Sequence, residues 1–193
     1  MHAAGADAMV AEAHARYVAI GKFRAASLLR YERASCLMAL GRRAVAWSQA
    51  QRLERESAAL GHRHHQLKAI NLQRVLYADL RRWDGAVQAY RRCAQLAWHS
   101  HHHCWLGVER WNHGRNLARL RQPEPAALLM AFNAGYRHRD FGALDADDNR
   151  YRRQVRALVR YQLGEARTMS LWTRGKALSL AQAVALPRAA LPT

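Results

Sequence analysis

Apolar positions in this chain recur at helical spacing, and the helical segments themselves recur with a fixed period of 40. Leu40, Leu80 and Leu120 each precede a short turn, Gly41-Arg42-Arg43, Arg81-Arg82-Trp83 and Arg121-Gln122-Pro123. An alanine stands six places after each leucine, at Ala46, Ala86 and Ala126. Ala46, Trp47, Ala50, Leu53 and Ser57 are then answered one period later by Ala86, Val87, Tyr90, Cys93 and Ala97, and again by Ala126, Ala127, Met130 and Asn133. Spacings of three, four and seven put each set on one helical face. The segments before the turns are amphipathic too, with Leu72, Val75, Leu76 and Leu80 in one copy and Val108, Trp111 and Leu117 in another. Each repeat is therefore expected to be a helical hairpin. First helices fall at 22–39, 64–79 and 103–119, and second helices at 44–59, 84–98 and 125–138.

A fixed period of this size marks a solenoid of stacked repeats. Gly21 and Gly61 sit at equivalent places behind Ile20 and Leu60, where a left-handed helix cap is expected. On this register residues 6–20 are the second helix of an incomplete first hairpin, so the chain is expected to begin in mid-repeat. An apolar face left bare there would favour self-association. Past Gly135 the period fades. Residues 140–149 read as an acidic loop leading into a helix capped by Asp145 or Asp147, lined by Tyr151, Val155, Leu158, Val159 and Gln162 and ended by Leu163-Gly164. A helix over 165–174 carries Trp172, and Ser179 with Gln182 forms a capping box for a last helix, 180–186, stopped by Pro187. The predicted fold is all-α, with hairpin repeats over 1–138 and a loop and capping helices over 139–193 of the same domain. No strand pattern occurs.

Composition agrees with a folded helical chain: 193 residues, half of them hydrophobic, with only 4 prolines. The net charge of +17 changes the picture more. It admits nucleic acid or another polyanion as a partner. The basic residues are almost all arginine, Lys22, Lys68 and Lys176 being the lysines, and they are spread along the whole chain, which favours solvated helix faces. Cys36, Cys93 and Cys104 form no CxxC pair, as expected of a protein in a reducing cytoplasm. The N-terminal segment lacks the apolar stretch of a secretion signal, and no run approaches the ~18 apolar residues of a membrane span. A soluble cytoplasmic protein without membrane contact is expected.

The segment Tyr77, Leu80, Trp83, Ala86, Tyr90, Cys93 resembles a tetratricopeptide repeat, with the small alanine where the two helices touch. The tail resembles a larger family. Leu163-Gly164-Glu165-Ala166, Trp172 and the run from Gly175 to Leu186 look like the end of the helical-repeat region of bacterial regulators that couple a signalling ATPase to a repeat array, often with a LuxR-type DNA-binding domain. The resemblance implies a sensor or scaffold array that receives a ligand or partner in transcription regulation. There is no GxxxxGK[ST] phosphate loop and no helix-turn-helix pattern in this chain. In arrays of this kind the first helices line a concave groove. That implies Lys68, Asn71, Val75, Trp111, Arg115 and Arg119 as the partner-binding residues, for a protein segment or a small effector.

Other candidate chemistry resolves to surface or core. His62, His64 and His65, and His99, His101, His102 and His103 beside Cys104, contain a four-residue spacing that suits zinc. They lie at turns without a completing ligand set, so no metal and no cofactor is expected. Trp47, Trp83, Trp98, Trp105 and Trp111 could form a stacking platform, but Trp47 and Trp83 fall on core positions and Trp105 and Trp111 read as packed indoles. Arg152, Arg156 and Arg160 form a helical stripe, read as a solvated face rather than a phosphate track. Neither the serines nor the cysteines have acid–base partners at recognisable spacing, so no catalytic constellation and no enzyme activity is expected.

Overall fold

The computed structural model describes residues 2–140 and 146–186, with the side chains of 2–4, 6, 103, 104, 107, 108, 137–140, 146–148 and 151 left aside. Among the described residues there are ten α-helices and no strand: α1 (His2–Ala19), α2 (Phe23–Ala39), α3 (Arg43–Ala59), α4 (Arg63–Asp79), α5 (Trp83–His99), α6 (His103–Arg119), α7 (Pro123–Asp140), α8 (Ala146–Leu163), α9 (Glu165–Lys176) and α10 (Leu180–Ala185). Helices α2 to α7 begin at Phe23, Arg43, Arg63, Trp83, His103 and Pro123, an even step along the chain. Helices α2 to α6 are all of one length, 17 residues. The period seen in the sequence is thus two equal helical steps.

The step is set by the turn. After each helix one residue takes a left-handed backbone: Gly21, Gly41 and Gly61 at φ 71°, 71° and 67°, then Arg81, His101 and Arg121 at 56°, 57° and 56°. Around Gly41 the amide of Gly41 donates to the Met38 carbonyl (2.9 Å) and that of Arg42 to the Leu37 carbonyl (2.9 Å). The same pair of bonds recurs at Gly61–His62 and Arg81–Arg82. This is the Schellman closure, which satisfies carbonyls the helix end would otherwise leave open. The aliphatic residue before it is a cap rather than a core residue: Leu40 is 36% exposed and Leu80 51%. The leucines that announce the period mark turns.

Two compact units are formed, Met1–Ser100 and His101–Thr193. In the first, α1 to α5 pack each on the next, and α2 also meets α4 directly. Ala46 and Ala86 are wholly buried, as expected of small residues at helix contacts, and so are Ala50, Leu53 and Ser57 on the same face. Leu37, Ala46 and Leu76 form one core cluster, and Ala34, Ala50 and Leu72 another. Trp47 meets Tyr77 edge to face at 4.8 Å. Tyr77 fits because Gly85 has no side chain; a Cβ there would sit 2.6 Å from the ring.

In the second unit α7 packs between α6 and α9. The contact with α9 is close, since a Cβ on Gly175 would stand 2.5 Å from the Leu128 carbonyl oxygen and 2.7 Å from Ala131 Cβ. Helix α8 touches α6, α7 and α9. Its arginines take part: Arg152 lies over the Trp111 ring (4.3 Å) and Arg156 over Trp172 (4.2 Å), while Arg160 pairs with Glu165 (2.5 Å). The stripe read as a solvated face is engaged within the fold by cation–π and ionic contacts. Gln162 Nε2 donates to the Ala118 carbonyl, and Ser179 with Gln182 forms the expected capping box on α10. Helix α8 is already under way at Asp147, which therefore is not its cap. Asp145, the side chains of Tyr151 and Val108, and Pro187 lie outside the described residues.

Two substitutions test this account. A left-handed backbone costs an L-residue roughly 1–2 kcal/mol, and glycine returns about 0.5–1 of that to the unfolded chain, so Arg81→Gly should stabilise by about 0.5–1 kcal/mol. A lowered denaturation midpoint for this variant would contradict the turn assignment. Gly175→Ala drives a methyl group against backbone and should destabilise by about 1–3 kcal/mol; an unchanged midpoint would mean that α9 is not held this closely to α7.

Candidate binding clefts

In the first unit the inner helices meet and the outer ones stand apart, which leaves open clefts. The first lies between α1 and the end of α3, above the start of α2, and has a volume of about 640 Å³. Its walls are mostly aliphatic and aromatic: Ala15, Val18 and Ala19 from α1, Phe23 and Ala26 from α2, Ala59 and Leu60 from α3 and its cap. Phe23 is 51% exposed and Leu60 46%. Large apolar side chains facing solvent around one opening are unusual and mark contact sites.

The polar floor of this cleft is Arg30, only 5% exposed. Its Nη1 donates to Gln49 Oε1 (3.0 Å), and its Nε lies 3.1 Å from Glu56 Oε2, aligned as an ion pair rather than a hydrogen bond. Nη2 is 2.9 Å from His14 Nε2. A guanidinium only donates, so His14 Nε2 accepts and the proton of the neutral ring sits on Nδ1. Burial, then Arg30, holds the His14 pKa below its ordinary value, with Glu56 pulling the other way and Arg52 and Arg33 adding to the lowering. Burial likewise lowers Arg30, against Glu56. At the mouth, Arg52 Nε donates to Glu56 Oε1 (2.7 Å).

A second cleft of about 700 Å³ is the repeat equivalent of the first, between α3 and α5 above α4. One period along the chain, Phe23 becomes Arg63, Arg30 becomes Ile70, Arg52 becomes Arg92, Ala59 becomes His99 and Leu60 becomes Ser100. The geometry repeats and the chemistry inverts. A third, smaller opening of about 310 Å³ is lined by Trp47, Tyr77 and Gly85. It is bounded by a closed polar triangle in which Gln73 Nε2 donates to Glu54 Oε2 (2.6 Å) and Arg92 donates to both Glu54 (3.1 Å) and Gln73 (2.8 Å).

The residues expected to form the groove divide between the units. Lys68, Asn71 and Val75 lie on α4 of the first, and Trp111, Arg115 and Arg119 on α6 of the second. The Lys68 ammonium sits 4.6 Å over Tyr31, Asn71 Oδ1 accepts two bonds from Arg74 (2.9 and 2.7 Å), and Val75 is half-buried. Trp111 is 6% exposed under Arg152, Arg115 is half-buried and Arg119 exposed. The rings of His62 and His64 lie 5.8 and 5.9 Å from His65, whose pKa is lowered by burial and then by His64. Among the described residues no three His, Cys, Asp or Glu side chains gather in a metal-binding group. The side chains of His103 and Cys104 lie outside that set.

Arg30 escaped the sequence reading, although the repeat register carried a signal. Positions 30, 70 and 110 are equivalent and read Arg, Ile, Arg, so a core isoleucine in one copy marks buried arginines in the others. Arg110 is indeed wholly buried, with Nη1 donating to the Ala183 carbonyl (3.1 Å). The His14 contact has no such signal, because His14 and Arg30 stand on different helices at a spacing that follows no helical period.

The lowered His14 pKa fixes a pH dependence. Well above pH 6.5 the ring is neutral in folded and unfolded chain alike. As pH falls through that value the unfolded chain takes up a proton that the folded chain still refuses, so stability declines until the lower folded pKa is passed. His14→Gln keeps an acceptor for Arg30 and does not titrate. The loss of unfolding midpoint between about pH 7.5 and about pH 5 should be smaller in this variant than in the parent; equal losses would show that His14 is not held neutral by its site.

Comparison with known protein families, curated proteins and solved structures found no match.

Proposed function

We propose that this chain is a non-enzymatic interaction or effector-sensing module, working as the repeat array of a bacterial transcriptional regulator works. The observation that carries this reading is the first cleft: about 640 Å³, open to solvent, apolar in its walls and charged at one point of its floor. Sites for small molecules share that size and that mixture, many apolar contacts with a few fixed polar groups. Either a small effector or the side chains of a partner segment fill such a space. The α4 face of Lys68, Asn71 and Val75 offers a further surface for the partner segment. The tetratricopeptide-like pattern around Tyr77 and Ala86 and the regulator-like tail point the same way.

A second reading, a polyanion-binding module, draws on the net charge of +17. Salt separates the two. Nucleic-acid affinity falls steeply with ionic strength because bound counterions are released, whereas filling an apolar cleft is nearly indifferent to salt.

The test is binding of the neutral apolar dye Nile red and of a labelled duplex oligonucleotide by the full chain, each at about 0.05 and about 0.5 M salt. Nile red should bind at both salts, and Ala19→Trp, which places an indole in the first cleft, should abolish that binding. Dye affinity untouched by Ala19→Trp, alongside oligonucleotide binding lost at high salt, would favour the polyanion module.

A further inference from the structure

We propose that the first cleft is a site for an amphiphilic monocarboxylate, with its apolar body against Val18, Phe23, Ala59 and Leu60 and its carboxylate on Arg52. The inference rests on the reading of this cleft as a binding site and adds the class of ligand. The charge count selects a single anion. Arg30 and Arg52 both face Glu56, so two guanidinium groups share one carboxylate and the site keeps one positive charge in excess, with His14 neutral. A cation would add to that excess. Among the residues lining the cleft, no further cation is left to meet the second charge of a dianion, which would face Glu56.

The donors are in place as well. Arg30 is committed, to Gln49, His14 and Glu56. Arg52 is not: it engages Glu56 through Nε (2.7 Å), and its side chain is 60% exposed at the mouth of the cleft. The terminal nitrogens of its guanidinium are the fork that pairs with a carboxylate in two parallel hydrogen bonds. Binding there leaves the Glu56 contacts intact.

The repeat equivalent shows what the first cleft has and its copy lacks. In the second cleft Arg92 stands at the register of Arg52, and its Nη1 and Nη2 are spent on Glu54 and Gln73. The apolar wall is gone too, with Arg63, His99 and Ser100 in place of Phe23, Ala59 and Leu60. One backbone geometry thus occurs twice, and of these two clefts only the first sets the terminal nitrogens of Arg52 beside apolar walls.

The test is calorimetric titration of the full chain with decanoate, decanol and decyltrimethylammonium. Decanoate should bind roughly tenfold or more tightly than decanol, the worth of one charge-assisted pair, and the cation weakest. Arg52 and Ala59 are exposed, so their variants keep the fold. Arg52→Gln should remove the preference for decanoate over decanol, Ala59→Trp should abolish binding of both, and His99→Trp at the equivalent place in the second cleft should change nothing. Equal affinities for decanoate and decanol, or a preference that survives Arg52→Gln, would overturn the carboxylate assignment while leaving the cleft as a binding site. Decanoate binding unaffected by Ala59→Trp would overturn the location itself.

Discussion

Each helix from α1 to α4, and α6, closes on an aliphatic cap and one left-handed residue whose amide turns back to the last helical carbonyls, and the rest of the architecture follows from that closure. It ends the helices at nearly the same length and starts the next after an equally short turn. With equal helices, the crossing points recur at the same depth, which is why Ala46, Ala86 and Ala126 all fall at wholly buried positions. In the first unit it also bears on where clefts open, since two of them, of about 640 and 700 Å³, lie one period apart on the same helical positions.

Arginine accounts for most of the charge of this chain, and much of it is used internally. Arg30 meets Glu56, Arg33 meets Asp7, Arg43 meets Asp79 and Arg167 meets Glu124. Arg152 and Arg156 cover indole faces. A planar guanidinium is suited to all of these tasks because it is weakly hydrated, stacks on aromatic rings and presents a rigid fork. Surface pairs of this sort contribute little individually to stability. Their effect is on availability, because an arginine bound to its own fold is a poorer phosphate ligand. That makes the free fork of Arg52 a more specific feature than the overall charge.

The helices, their hairpin order, the crossing alanines and the α10 capping box were legible in the sequence because each depends on residues close in the chain. The equal helical step was visible in Ile20, Leu40, Leu60, Leu80 and Leu120, but the longer repeat of side-chain pattern, every second helix, masked it. The clefts were not legible. They depend on how far apart α1, α3 and α5 stand, which is decided by side chains on other helices. The role of the α8 arginines was hidden for the same reason: Arg152 and Trp111 are far apart in sequence, and nothing in a charged stripe tells a solvated face from one laid over indoles. Trp111 shows the cost of that ambiguity, an aromatic expected to line a groove and instead covered by its own chain.

The equal step also bears on how such a chain can change its length. Each added residue turns a helix by about 100°, so most insertions or deletions would rotate the buried face into solvent. Gain or loss of one whole period rotates nothing: every cap, crossing alanine and inner helix reappears in register. Duplication or loss of one hairpin by recombination between its own copies is therefore structurally silent at the junction. Its effect falls on the clefts, since a new neighbour of the same shape brings its own wall of side chains, and the chemistry of binding can diverge while the backbone that frames it stays the same.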